Sequence, residues 1–254
     1  MRFQPRCHSC FCPAVSAYRL LILLTVAFCG CQGDGGVTEQ PDGSTEVRIA
    51  LNWYPEAEHG GYFAAQTAGI FQENGLQVEL IPGGPGAPQT VISEMAANRI
   101  LFAVSDADNV VKARASGVPI VAVLAPMQQS PRCIMVHQSS GIGSLMELRD
   151  VDLAISEGRP FALWMKQKLP LNGVAFVPYN GTVGEFLTNE QFAQQGYVFS
   201  EPFIAEEQGS DPLALMVSDI GFNPYASVLI TTETAIAERP ELVRKVTAAC
   251  VAGW

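Results

Sequence analysis

Short apolar runs alternate with helix-forming stretches along most of this chain, and that alternation limits the fold more than any other feature. Residues 47–51 place Val47, Ile49 and Leu51 on one face in strand fashion, residues 60–71 form a helical stretch with Gly69 near its end, and residues 76–81 (LQVELI) alternate again. A Gly- and Pro-rich loop at 82–88 leads to a helix over 89–98. The run 100–104 (ILFAV) reads as a buried strand, Ser105 and Asp106 as the cap of a helix over 107–116, Gly117 as its stop, and 118–125 as the next strand. Such alternation argues for a parallel sheet covered on both faces. After an extended run at 131–137 the pattern restarts, with strands at 151–156, 174–178 and 197–200 and helices through 164–168 and near 183–187. Two α/β units in series predict two lobes. A strand over 226–231 and an amphipathic helix from Arg239 to Trp254, with Pro240 in its first turn, close the chain.

At 254 residues, 48% hydrophobic and 16% charged, the chain can bury one large core or two modest ones. Its first segment reads as an address. Arg2, Arg6 and Arg19 precede the apolar run 20–28 (LLILLTVAF), too short to span a bilayer and suited to the h-region of a signal peptide. The ending Phe28-Cys29-Gly30-Cys31 resembles a bacterial lipobox, in which Cys31 would be lipidated; cleavage of an ordinary secretory signal nearby is the alternative. Residues 1–30 are thus expected to be a lipoprotein signal peptide and 31–45, polar and Gly-rich, a flexible tether. This predicts an exported, membrane-anchored lipoprotein of the cell envelope or periplasm.

Residues 1–30 carry three Arg and no acid, so their removal takes the formal net charge of −10 three units lower. Phosphate recognition needs a basic surface, which argues against nucleic acid as a partner. Attachment to anionic lipid would rest on the anchor alone. Of seven cysteines, Cys133 and Cys250 remain beyond Cys31 and read as free buried thiols, with a disulfide as the alternative. The cluster from Cys7 to Cys12 precedes the apolar run and has no second ligand pair, so it is not a metal site.

The chemistry is expected near residues 49–65 (IALNWYPEAEHGGYFAA), where a strand end runs through a polar, aromatic loop into a helix start. No Gly-x-Ser-x-Gly or His-Glu-x-x-His motif occurs, and past the leader the histidines are His59 and His137, the latter read as structural. No catalytic residue, metal or cofactor is assigned.

Four stretches carry a resemblance: Leu51-Asn-Trp-Tyr-Pro-x-x-x-His59-Gly-Gly-Tyr-Phe-Ala-Ala; Ala68-Gly-Ile-Phe-x-x-x-Gly75-Leu; Ala113-Arg-Ala-x-Gly-Val-Pro with Gln129-Ser-Pro131; and Ser200-Glu-Pro-Phe203. They resemble the periplasmic solute-binding proteins of the thiamine-pyrimidine-precursor and sulfonate type, which share their fold with the fungal thiamine pyrimidine synthases. The resemblance implies an α/β, two-lobed periplasmic-binding-protein type II-like fold with a ligand cleft between lobes. Residues 46–136 and 226–254 would form lobe 1 and residues 137–225 lobe 2. It also implies capture of an aminopyrimidine, delivery to the membrane subunits of an ABC importer, and no enzymatic activity. The alternatives are a synthase using pyridoxal phosphate and iron, or a protein binding a sulfonate, nitrate or taurine. Proteins of this type continue past the equivalent of Trp254 with helices that complete the first lobe, so the chain is expected to be shortened at its C-terminus.

A flat heteroaromatic needs an aromatic face and a few fixed polar groups at its edge. Under the resemblance Trp53 and Tyr54 supply the face, Asn52, His59 and Gly60 approach from the same loop, and Glu201 accepts from an exocyclic amine, with Asp106 and Tyr225 as further contacts. Each residue also has a plainer reading. Trp53 would be core, Asn52 a turn residue, His59 a backbone-bonded helix start, Asp106 a helix cap and Glu201 a helix entry favoured by the dipole.

Overall fold

The computed structural model describes residues 35–254; the expected signal peptide and the lipidation site at Cys31 lie outside the described residues. Strands and helices alternate as β1 (Val37–Glu39), β2 (Thr45–Ala50), α1 (Gly60–Thr67), α2 (Ile70–Glu73), β3 (Leu76–Ile81), α3 (Ala87–Ala96), β4 (Phe102–Ser105), α4 (Ala107–Ala115) and β5 (Ile120–Leu124). Then follow β6 (Arg132–His137), β7 (Asp152–Ala154), α5 (Pro160–Lys168), β8 (Ala175–Val177), α6 (Gly184–Thr188), β9 (Phe192–Tyr197), α7 (Glu201–Glu207) and β10 (Pro212–Met216). The chain ends with β11 (Val228–Thr232), α8 (Glu233–Glu238) and α9 (Pro240–Gly253).

These strands build two sheets. The first runs β1-β2-β4-β11-β5, with β3 also paired to β2, and the second runs β10-β6-β9-β7-β8. Strand periodicity sorts the first core into two halves. Ile49, Phe102 and Leu229 face Tyr62, Phe71, Val243 and Val246 of α1, α2 and α9, whereas Ala50, Ala103 and Ile230 face Val91, Met95 and Val110 of α3 and α4. The second sheet is covered likewise. Ile134, Leu153 and Ala193 pack on Phe161 and Met165 of α5, and Met135 and Ala154 on Phe186 and Ala205 of α6 and α7.

The expected two-faced covering therefore holds, but neither sheet is purely parallel. β2 pairs in parallel with β3 and β4, while β11, returning from the other sheet, runs antiparallel to both β4 and β5. The chain crosses between sheets twice, over residues 125–131 and 217–227, and the two crossings meet in an antiparallel bridge, Met127 with Ala226. The whole of β6 lies in the second sheet, so the crossing precedes the boundary expected at 136.

Other departures have local causes. The helix expected over 60–71 is two helices, because Gly69 takes the left-handed conformation between them (φ 77°). The strand expected at 197–200 lies at Phe192–Tyr197 instead, and its central Gln194-Gln195-Gly196 hid a segment that is buried throughout. β10 and α8 were not foreseen; α8 is capped by Thr232 Oγ1, which accepts from Ala235 N at 3.0 Å. Cys133 and Cys250 are free and buried. Among the described residues no helix is long and apolar enough to cross a membrane.

The expected tether is the clearest correction. Val37–Glu39 pairs antiparallel with Val47–Thr45, and Val37 is 4% exposed within the first core. A carboxylate there would lose its hydration without gaining a partner. Val37→Asp is expected to lower unfolding free energy by about 2 kcal/mol or more in denaturant melts; an unchanged midpoint would restore the tether.

Candidate functional site

The loop after β2 is shaped by its polar side chains. Asn52, 5% exposed, lies two residues past the end of β2, and its Oδ1 is 3.0 Å from Nε2 of His59, which is wholly buried at the start of α1. Burial pushes the imidazole down to about 4 against the opposing pull of Asp106, so the ring is neutral near pH 7. A neutral ring that serves an amide oxygen through Nε2 carries its proton there; Nδ1 is left without a partner. Glu58 Oε1 stands 3.2 Å from the same Nε2.

The second sheet supplies the opposite wall. Glu201 opens α7; its Oε1 accepts from the Tyr179 hydroxyl and its Oε2 from Tyr197 N at 2.7 Å. Gly196 lets that carboxylate approach, since a Cβ there would stand 2.8 Å from Glu201 Oε2. Tyr179 lies nearly parallel to Trp53 of the first loop, with ring centroids 6.0 Å apart and planes 13° from each other. Ser200 Oγ donates to Glu56 Oε2 across the gap at 2.9 Å. Burial and the neighbouring Glu201 raise the Glu56 carboxyl above its ordinary value, against the Ser200 hydrogen bond.

Between these walls is a narrow cavity of about 30 Å³ lined by Asn52, Trp53, Glu56, Glu58, Arg132, Arg159, Tyr179, Gln195, Gly196, Tyr197 and Glu201. Behind it sits Asp106. Its Oδ2 accepts from Arg132 (3.2 Å) and Arg159 (2.5 Å), and its Oδ1 from the Tyr197 hydroxyl (3.1 Å) and Ser227 N (3.2 Å). Burial alone would raise this carboxyl, but Arg159, then Arg132, with the Ser227 and Tyr197 hydrogen bonds, hold it below its ordinary value. The Arg132 guanidinium also stands 4.5 Å from the Phe161 ring centre and 4.7 Å from that of Tyr197.

Of the residues singled out from the sequence, Asn52, Trp53 and Glu201 line the cavity. His59 and Gly60 do not: His59 is sealed behind Asn52 and Glu58, and Gly60 is exposed at the helix start. Tyr54 is 46% exposed and meets Trp53 edge-on, 5.6 Å between centroids. Asp106 occupies the cap position of α4 but makes no side-chain cap bond, because its oxygens are taken by the second sheet. It shares a smaller recess with Tyr225, which is 46% exposed. Glu56, Glu58, Arg132, Arg159, Tyr179, Gln195 and Tyr197 were missed. Glu56 and Glu58 stood inside the motif already singled out, and their spacing around the loop was the available signal.

Two sheets with paired crossings and a polar cleft between them define a periplasmic-binding-protein fold. The solved alkanesulfonate-binding protein SsuA of Xanthomonas axonopodis pv. citri is similar over 82% of this chain and 72% of its own, with TM-score 0.61 and 11% identity, which concerns the fold alone. By sequence the chain belongs to the NMT1/THI5 like family, matched over residues 56–254. Riboflavin-binding protein RibY of Chloroflexus aurantiacus is 24% identical over 216 residues, 82% of this chain and 61% of the relative. Formylaminopyrimidine-binding protein of Halalkalibacterium halodurans is 33% identical over 112 residues, 44% of this chain and 32% of the relative. The chain thus spans less than two thirds of these relatives' length.

Two outcomes follow from the site. Asp106→Asn leaves two buried guanidinium groups without a counter-charge and is expected to cost about 3–5 kcal/mol of unfolding free energy in denaturant melts; a cost under 1 kcal/mol would contradict the arrangement. His59 gives a pH dependence. Between pH 6.5 and about 4 the unfolded chain binds a proton that the folded imidazole refuses, so stability falls as pH drops through that window, by on the order of 3 kcal/mol at full effect. Glu58, whose carboxyl is held well above its ordinary value by burial, slopes the other way, so the difference between wild-type and His59→Gln curves isolates the imidazole. Parallel curves would contradict a neutral, buried ring.

Proposed function

We propose that this protein is the solute-binding component of an ABC importer, that it captures a small, flat, hydrogen-bonding heteroaromatic of the aminopyrimidine kind, and that it performs no chemistry on it. The observation that carries this reading is the make-up of the cavity wall: an aromatic pair, Trp53 and Tyr179, beside three carboxyl groups, Glu56, Glu58 and Glu201. Aromatic faces hold a planar ring, and carboxyl oxygens take up its amine hydrogens. Asn52 presents the amide edge, and His59 acts through it as a positioning residue. The two sheets serve as lobes hinged at the paired crossings, closing on the ligand as Ser200 meets Glu56.

A sulfonate or nitrate would instead call for free guanidinium groups. Both candidates, Arg132 and Arg159, are bonded to Asp106, and the Glu56 and Glu201 carboxyl groups on the same walls oppose an anion. A synthase of the fungal kind fits these residues poorly. No lysine lines the cavity to hold an aldehyde cofactor such as pyridoxal phosphate, and among the described residues no group of three or more His, Cys, Asp or Glu is placed to bind iron. The names of the two sequence relatives point to nitrogen heteroaromatics, formylaminopyrimidine and riboflavin. Export by residues 1–30 and anchorage through Cys31 complete the proposal, since a captured solute must be held near the importer.

Titration calorimetry with an aminopyrimidine, taurine and riboflavin tests the reading. Heat is expected with the aminopyrimidine, and His59→Ala, which frees the Asn52 amide, is expected to weaken it by about tenfold. Binding of taurine alone would sink the cargo, and turnover with iron and pyridoxal phosphate would sink the absence of chemistry.

A further inference from the structure

Glu58 lines the cavity yet is only 3% exposed, and its Oε1 has no hydrogen-bond partner. His59 Nε2 is 3.2 Å away, but its hydrogen is directed at Asn52 Oδ1. The other two carboxyl groups of the cavity differ. Glu201 accepts from Tyr179 and Tyr197 through its two oxygens, and Glu56 accepts from Ser200. A buried oxygen left unpaired destabilises a fold, and such a departure from good packing is expected where a ligand completes the set.

The groups around Glu58 set its state. Burial, then Asp106 and Glu56, push its carboxyl well up, Arg132 opposes, and Glu201 adds to the rise. A protonated carboxyl presents one O–H donor and one acceptor oxygen side by side. A ring nitrogen next to an exocyclic amine is the complement of that pair: the O–H donates to the ring nitrogen while the other oxygen accepts from the amine. If the proton sits on the ring instead, the same two contacts persist with donor and acceptor exchanged at the ring nitrogen.

We propose that Glu58 reads the ligand's edge and selects heteroaromatics in which an exocyclic amine adjoins a ring nitrogen, an assignment that rests on the aminopyrimidine reading above. The aromatic wall of Trp53 and Tyr179 takes one face of the ring; Glu58 decides which ring is held.

Calorimetry of the full chain with 4-amino-2-methylpyrimidine and with 2,4-dimethylpyrimidine, which carries a methyl group in place of the amine, separates edge from face. Wild-type protein is expected to bind the amine at least about tenfold more tightly. Glu58→Gln, whose amide also sets an acceptor beside a donor, is expected to keep that preference within about threefold. Glu58→Met is expected to bind both compounds alike while melting at a higher temperature, because the unpaired carboxyl is gone. A folded Glu58→Met that still prefers the amine tenfold overturns the assignment and leaves the aminopyrimidine reading standing. Loss of the preference in Glu58→Gln, or equal wild-type binding of the two compounds, overturns it as well. Wild-type binding of neither compound overturns both readings.

Discussion

Asp106 carries its charge into a place that water barely reaches, and the groups that meet it come from elements far apart in the chain. Arg132 arrives on β6, Arg159 ahead of α5, Tyr197 at the end of β9, and Ser227 N on the return crossing. Removing three charges from water is unfavourable, and their attraction offsets the loss only when the geometry is good and the remaining lone pairs are filled. Here both carboxylate oxygens are doubly engaged, and Tyr197 accepts from Arg132 while donating to Asp106. The two sheets are therefore joined by a directional polar cluster as well as by chain crossings, and the walls of the cavity inherit their spacing from it.

The cluster also sets the character of the cavity. Asp106 holds Arg132 and Arg159 from behind, while Glu56, Glu58 and Glu201 stand on the open side. Burial, and after it the neighbouring acidic groups, raise the Glu56 and Glu58 carboxyls above their ordinary values. An incompletely paired arrangement, Glu58 against a neutral His59, stands at the loop where the sequence already pointed. Binding sites are where a protein tolerates such unfavourable local choices, because the ligand and not the chain supplies the missing partner.

Much of the architecture was legible from periodicity. β3 and the pairing of strands with covering helices followed from apolar alternation, and α9 from its Pro start and amphipathic face. Where local pattern and tertiary environment disagreed, the reading slipped. β9 is buried through Gln194, Gln195 and Gly196, whose polarity marks no strand, and Gln195 finds its partner in Ser156 N of another segment. β1 was lost inside a Gly-rich stretch because a single buried Val37 makes no period.

The same division holds for the site. The two α/β units, the polar and aromatic loop at 52–59 and the acidic balance are legible in the residues alone, since they depend on residue type and local spacing. That Asp106 is a counter-ion and not a helix cap, that His59 lies behind Asn52, and that Tyr179 faces Trp53 emerges only in the folded chain. The reason is physical. A carboxylate at a helix start has the backbone N–H groups within reach, but two guanidinium groups offer a stronger, charge-assisted partner, and they are brought to it from 26 and 53 residues away in the chain by the pairing of the second sheet. No local pattern encodes that meeting.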